Sequence, residues 1–125
     1  MKRLLQLALL LMTIVSATEV CAAQAPNGNY TIVAITGPKI PDNVTIQTEF
    51  ELKDGSLRST SRANDGTGWK DLGTATYRQM GHSTTWEMWT SGGAYGLLYY
   101  NETAGAWETI ILAGRFPGRI ARYVR

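Results

Sequence analysis

Side chains with reactive chemistry are sparse in this sequence, and the single histidine is the first to consider. His82 stands just before a tryptophan-rich stretch at residues 84–89, and its ordinary pKa lies near neutrality. Catalysis would require a nucleophile or a carboxylate beside it, and the sequence has no Gly-x-Ser-x-Gly nucleophile elbow. A zinc site would need further His or Cys ligands, and Cys21 is the only other such residue. We therefore favour a turn histidine beside Gly81 over an enzyme that uses His82, and we predict no metal and no cofactor.

A second candidate is the pair of acids Glu49 and Glu51, which has the residue types of a glycosidase site. The two acids alternate with Phe50 and Leu52, so they lie on the polar face of an amphipathic strand. Adjacent acids on such a face are typical of solvated surface, and we expect no catalytic role for them.

The elements that must position these residues are strands. Turn signals rich in glycine recur about every 8–12 residues, the spacing typical of all-β barrels and sandwiches, and helix signals are nearly absent. The pattern predicts an all-β fold, an eight-stranded antiparallel up-and-down β-barrel, with a small β-sandwich as the alternative. The predicted strands are Asn29–Thr36, Val44–Leu52, Leu57–Arg62, Leu72–Gln79, Ser83–Thr90, Ala94–Asn101, Ala106–Ala113 and Arg119–Val124.

The first 23 residues have the pattern of a secretory signal peptide. A basic start at residues 1–3 is followed by an apolar run over residues 4–15 and by small residues up to Ala23. The run is shorter than the roughly 20 residues of a membrane span. We predict a signal peptide over residues 1–23, cleavage after Ala23, and one secreted or periplasmic domain over residues 24–125.

Composition excludes several classes of function for the predicted domain. Its segment contains no cysteine, which excludes a scaffold stapled by disulfides. The full chain has a formal net charge of only +2 and gives no electrostatic reason to expect nucleic acid. Most of the predicted strands are shorter than those of an outer-membrane barrel, and one face of the second strand carries Glu49 and Glu51, so we expect no membrane insertion.

Several short motifs resemble the avidin family. Tyr77-Arg78, Thr84-Thr85-Trp86 and Gly92-Gly93-Ala94 occur at spacings similar to those in its bacterial members, and Ala106-Trp107 followed by Gly114 is similar to its last tryptophan strand. The resemblance covers about residues 54–114. It implies an eight-stranded barrel with a ligand at one mouth. Together with the strand pattern, it leads us to predict the ligand-binding residues Tyr77, His82, Thr84, Trp86 and Trp107.

The polar part of that family's biotin site is matched only in part. Ser61 stands where the family has a tyrosine donor, His82 stands where it has a small hydroxyl residue, and Arg115 stands where it has an acid. Each buried polar group of a ligand that loses its partner costs about 1–3 kcal/mol. We therefore expect a ligand other than tightly bound biotin.

The start of the first strand is similar to the wider calycin group of barrels. Gly28-Asn29-Tyr30 resembles the group's Gly-x-Trp opening with tyrosine in place of tryptophan. The resemblance implies that Arg122 or Arg125, on the last strand, packs over the Tyr30 ring.

Alternation on the fifth strand places Trp86 and Met88 inside the barrel together with His82 and Thr84, and it places Trp89 outside. Trp86 and Met88 fill the core or form a pocket wall in this interpretation. The later strands are apolar on both faces, so we expect the outer face to pack against a partner or another copy of the chain. Cover by a loop or by the N-terminal segment is the alternative. The residues of this predicted interface are Trp89, Leu97, Tyr99, Ile110 and Leu112.

Together these patterns predict a non-enzymatic barrel that holds a small molecule at its mouth. The alternative is a protein-binding module, such as an inhibitor of a secreted hydrolase, that acts through its turns or its apolar outer face. Residues 115–125 contain four arginines and no acid, which suits either an anionic partner surface or solvated charge at a strand edge.

Overall fold

A computed structural model describes residues 25–125, so the signal peptide predicted at residues 1–23 lies outside the described residues. Within them the chain forms eight β-strands. No helix in this part of the chain is long and apolar enough to cross a membrane. The strands are β1 (Gly28–Thr36), β2 (Thr45–Lys53), β3 (Ser56–Asn64), β4 (Trp69–Gln79), β5 (Thr85–Thr90), β6 (Tyr95–Asn101), β7 (Ala106–Ala113) and β8 (Ile120–Val124).

Each strand pairs antiparallel with the next, and β8 returns to pair with β1. The sheet is therefore a closed up-and-down barrel, which confirms the predicted fold class and excludes the sandwich. Closure satisfies the backbone groups that an open sheet would leave unpaired at its edges. The connections at residues 54–55, 80–84 and 102–105 lie at one end of the barrel, the closed end. Those at residues 37–44, 65–68, 91–94 and 114–119 lie at the other, the open end.

Two strands start more than one residue away from the predicted position: β4 begins three residues earlier, at Trp69, and β5 begins two residues later, at Thr85, so that residues 82–84 precede it. The Met80 amide donates to the Thr85 carbonyl at 2.9 Å, and Ser83 Oγ donates to the Met80 carbonyl at 2.6 Å. These bonds close a turn in which His82 is exposed. The expectation that His82 faces the barrel interior is wrong for this reason, and the turn histidine is confirmed.

The hydrophobic core lies at the closed end. Phe50 is its centre, with the Tyr30 ring at 5.6 Å and the Tyr123 ring at 5.0 Å between centroids, both edge to face. Such aromatic pairs contribute about 0.5–1.5 kcal/mol beyond the area they bury. The prediction that Trp86 and Met88 lie in the interior is confirmed, since both are buried. The core cluster consists of Tyr30, Phe50, Leu57, Trp86, Leu98, Trp107 and Tyr123.

Arg125 covers the closed end where β1 meets β8. Its guanidinium carbon lies 4.8 Å from the centroid of the Tyr30 ring, and Nη2 donates to the Tyr30 hydroxyl at 3.0 Å and to the Asn27 carbonyl. The predicted packing of an arginine over Tyr30 is confirmed for Arg125, whereas Arg122 binds a carboxylate elsewhere. A cation held over an aromatic face adds about 0.5–1 kcal/mol at an exposed site.

That carboxylate is Glu108, which lies on the outer face of β7 and is only 3% exposed. Arg122 Nε donates to Oε2 at 2.8 Å, while Tyr99 Oη and Asn101 Nδ2 donate to Oε1 at 3.0 and 3.1 Å. Burial alone would raise the pKa of Glu108, but the three donors favour the ionised form and hold its pKa below the ordinary value. The network joins β6, β7 and β8 from outside the barrel.

We expect Glu108→Gln to destabilise the fold at neutral pH by about 1–3 kcal/mol, because it removes charge-assisted hydrogen bonds. Because the pKa of Glu108 is lower in the folded state than in the unfolded state, its ionised form stabilises the fold. This contribution to the free energy of unfolding is fully present above the unfolded pKa, about 4.3, and is lost as the pH falls through the folded pKa. The difference in free energy of unfolding between wild type and variant should therefore shrink as the pH falls below about 4. Urea unfolding across pH measures it, with the exposed Glu51→Gln as control; an equal difference at every pH would contradict the ionised network.

Gly96 generates a second prediction, because it lies buried where β6 approaches β7. A Cβ at this position would lie 2.2 Å from the Ile110 carbonyl oxygen and 3.1 Å from Met88 Cε. Gly96→Ala should lower the free energy of unfolding by about 1–3 kcal/mol or more, the typical cost of overpacking. Gly92→Ala is the matched control in urea unfolding, because its nearest neighbour would be Thr90 Oγ1 at 3.9 Å. Equal stabilities for the two variants would refute this account.

Candidate functional site

On β3, β4, β5 and β8 the inward side chains become smaller from the closed end to the open end, whereas β2 and β7 keep Ile46 and Ile111 there. On β5 they run from Trp86 through Met88 to Thr90, and on β8 from Tyr123 to Ala121. Large rings therefore fill the barrel at one end, while small side chains leave space at the other. The same decrease occurs on β3 (Leu57, Ser59, Ser61) and on β4 (Tyr77, Ala75, Gly73).

The space left at the open end is a cavity of about 320 Å³. It corresponds to about ten waters at roughly 30 Å³ each and lies at the lower end of the range of small-molecule sites, about 300–1,000 Å³. The aromatic core forms its floor, where Tyr77 and Tyr123 reach the lining. Its larger apolar wall residues are Ile32, Ile46, Leu72, Met88 and Ile111.

Three β-bulges interrupt the strand ladders at the open end. They leave Ile35, Leu72 and Leu112 without a partner in the β1–β8, β3–β4 and β6–β7 ladders. All three are exposed, and Leu72, at 57%, also lines the cavity. A bulge bends its strand and redirects a side chain, and bulges are common at the rims of barrels. The interruption of the ladders is thus confined to the end where the cavity opens.

The bulge at Leu72 is followed by Gly73, a position at which the backbone conformation and the neighbouring Ser91 leave no room for a side chain. Gly73 has φ +140, and a Cβ there would lie 2.6 Å from Ser91 Oγ. Ser91 Oγ instead accepts a hydrogen bond from the Thr74 amide at 3.0 Å. The close approach ties the bulged strand to the turn between β5 and β6, and both segments line the cavity.

Hydroxyl groups line the cavity in hydrogen-bonded pairs. Ser59 Oγ lies 2.7 Å from Tyr77 Oη, and Thr109 Oγ1 lies 3.4 Å from Tyr123 Oη. Each pair needs only one of its two hydroxyl hydrogens for the bond between its members, so one hydrogen is available for another acceptor. Burial raises the pKa of both phenols, so they are neutral hydrogen-bonding groups at physiological pH.

Within the described part of the chain, Arg119 is the only charged residue that lines the cavity, and no carboxylate of this part lines it. It lies just before β8, at the rim, and is half-buried. Among residues 25–125, no group of three or more potential His, Cys, Asp or Glu metal ligands occurs. The cavity as a whole is apolar, with neutral hydroxyls on its walls and one positive charge at its mouth.

The five ligand-binding residues predicted from the sequence do not meet around this cavity. Tyr77 lines it. Trp86 and Trp107 belong to the core at the closed end. His82 and the half-buried Thr84 lie in the turn before β5, also at the closed end. A ligand role for these four residues stays a prediction that this cavity does not support.

The predicted interface residues lie together on the outer face of the barrel. Trp89 and Leu112 are exposed, whereas Leu97, Tyr99 and Ile110 are half-buried. Leu97 and Ile110 pair directly between β6 and β7, and Tyr99 donates to Glu108. The residues therefore share one surface, and their role in an oligomer or protein interface stays a prediction.

Sequence reasoning missed most of the cavity lining. Ser59, Thr90 and Thr109 carried no motif, and Arg119 was one of several basic residues near the C-terminus. The signal for the small lining residues is the decrease in size of the inward residue along β3, β4, β5 and β8, and no such signal exists for Arg119, which precedes β8. Leu72 carried a second signal, because a glycine inside a strand, here Gly73, often marks a bulge.

Comparisons of the chain with protein-family models, with curated proteins and with solved structures find no match.

Proposed function

We propose that this chain is a non-enzymatic barrel that binds a small molecule in the cavity at its open end. The observation that carries the proposal is the 320 Å³ cavity with apolar walls and a floor of buried aromatic residues. A concave, mostly apolar space with a few convergent polar groups is the usual form of a small-molecule site. The signal-peptide pattern at residues 1–23 supports a secreted or periplasmic location for this activity.

The lining indicates how such a ligand is held. Its apolar body displaces water from the aliphatic wall, which favours binding by about 25 cal/mol for each Å² of apolar surface removed from water. The Ser59–Tyr77 and Thr109–Tyr123 pairs each offer one hydroxyl hydrogen to an acceptor on the ligand. Leu72, exposed at the rim, is covered when the ligand is bound. The proposal gives the phenols a hydrogen-bonding role and no part in proton transfer.

A protein-binding module is the second candidate, and the loop between β7 and β8 favours it. Phe116 in this loop is exposed and adopts φ +58, which a bulky residue rarely does. Arg115 lies over its ring at 5.1 Å. Strained, exposed aromatic residues on loops are found at contact sites for other proteins.

The cavity proposal is tested by filling the space. N-phenyl-1-naphthylamine, a neutral dye whose fluorescence rises in apolar surroundings, should bind the purified protein saturably. Ala121→Leu adds a side chain inside the cavity lining, so it should weaken binding of the dye at least about tenfold, the equivalent of roughly 1.4 kcal/mol. Fluorescence titration measures the Kd, and circular dichroism checks the fold.

Ala113→Leu is the matched control, because Ala113 is exposed and lies outside the cavity lining. It should leave the Kd unchanged. If Ala121→Leu retains its fold and binds the dye as well as wild type, the ligand is not in the cavity, and the β7–β8 loop becomes the leading site.

A further inference from the structure

The four arginines near the C-terminus have different surroundings, and three of them have partners. Arg122 pairs with Glu108 at 2.8 Å, Arg125 lies over Tyr30, and Arg115 lies over Phe116. Arg119 has no carboxylate within ion-pair distance among residues 25–125. Its positive charge is therefore not neutralised by this part of the chain.

The stem of Arg119 is held at the rim by packing. Gly37, in the connection between β1 and β2, leaves room for it: a Cβ at Gly37 would lie 3.0 Å from Arg119 Cγ. The Arg119 amide donates to the Phe116 carbonyl at 3.2 Å, and its carbonyl accepts from the Ile111 amide at 3.0 Å. The backbone is thus fixed on both sides, and the side chain has a defined place in the cavity wall.

The charge of Arg119 also acts toward the inside of the cavity. Burial raises the pKa of Tyr123, and the hydrogen bond with Thr109 and then the positive charge of Arg119 oppose that rise. The guanidinium is therefore electrostatically coupled to a phenol on the cavity floor. A negative charge on a ligand at the mouth would meet this guanidinium without repulsion from a carboxylate of the lining that residues 25–125 form.

We infer that the ligand is an amphipathic organic monoanion whose apolar body occupies the cavity and whose acidic head group binds Arg119 at the rim. The inference rests on the proposed function, and it adds the chemical class of the ligand. Guanidinium binds an oxyanion through two parallel N–H···O bonds to two of its oxygens, which suits a carboxylate or a sulfonate head. One unneutralised arginine balances one negative charge, so a dianion would leave a charge without a partner.

The test compares two dyes that differ by one charged group. N-phenyl-1-naphthylamine is neutral, and 8-anilinonaphthalene-1-sulfonate has the same ring system with an added sulfonate. Arg119→Gln should raise the Kd of the sulfonate about tenfold, because a hydrogen-bonded charged partner is lost. It should leave the Kd of the neutral dye within about twofold. Salt should weaken binding of the sulfonate to wild type, as screening requires for a partly exposed ion pair.

Two variants control for charge and fold. Arg115→Gln removes a neighbouring arginine that lies outside the cavity lining, and it should change neither Kd by more than about twofold. Arg119→Lys keeps the positive charge but loses the paired donors of the guanidinium, so it should weaken binding of the sulfonate less than Arg119→Gln does. If the glutamine variant does not fold, the salt dependence of sulfonate binding to wild type is the test of charge, since binding of the neutral dye should not change with salt.

The outcomes separate this inference from the proposed function. If Ala121→Leu abolishes binding of both dyes while Arg119→Gln leaves the Kd of the sulfonate unchanged, the cavity binds ligands but the anion assignment is overturned. An equal loss of both dyes in a folded Arg119→Gln also overturns it, because the arginine then acts through shape. If Ala121→Leu changes neither Kd, the cavity proposal itself fails.

Discussion

Closure of the barrel by the β1–β8 pairing is the constraint on which the rest of the structure depends. A closed sheet of eight strands encloses a fixed interior, so every inward side chain shares one volume with those of the other strands. Bulky residues placed at the same level must interlock, as Tyr30, Phe50 and Tyr123 do. Small residues placed at another level must leave a space, because the hydrogen-bonded wall cannot collapse onto them. The aromatic core and the cavity are thus two consequences of one enclosure.

The seam that closes the barrel is strengthened by polar side chains instead of by a large core. At the closed end, Arg125 joins β8 to Tyr30 and to the Asn27 carbonyl. On the outer face, Arg122 binds Glu108 and so holds β8 to its other neighbour, β7. At the open end the Thr36 hydroxyl donates to the Gly118 carbonyl and accepts from the Ile120 amide. These contacts allow the open end to keep a cavity, because they stabilise closure without filling the interior.

The sequence predicted the strands, the closed barrel and the inward direction of Trp86 and Met88 because those features follow from local patterns. Alternation and turn residues act over a few positions, and β7 was predicted with its observed bounds. The start of β4 was missed because a bulge lets the ladder continue beyond the point where alternation breaks. The packing of an arginine, Arg122 or Arg125, over Tyr30 was implied by the resemblance of Gly28-Asn29-Tyr30 to the calycin opening. Local patterns could not have predicted it, because Tyr30 and Arg125 are far apart in sequence and adjacent in space.

The end of the barrel that carries the cavity could not be predicted from motifs. The tryptophan motifs contain the largest side chains, Trp86 and Trp107, and these fill the closed end. Neighbouring strands of an up-and-down barrel run in opposite directions, so residues at one height along the barrel axis come from the start of one strand and the end of the next. The height of each inward residue has to be known before side-chain sizes at the two ends can be compared. Once Trp86, Trp107 and Tyr123 are placed at one level, the shorter inward residues Thr90 and Ala121 define the opposite end. In a small closed barrel, space for a ligand exists only where the inward side chains are short, and large aromatic side chains can only form the bottom of that space. The fold also distinguishes Arg119 from the other arginines near the C-terminus, because among the described residues it is the one charged residue in the lining of the cavity.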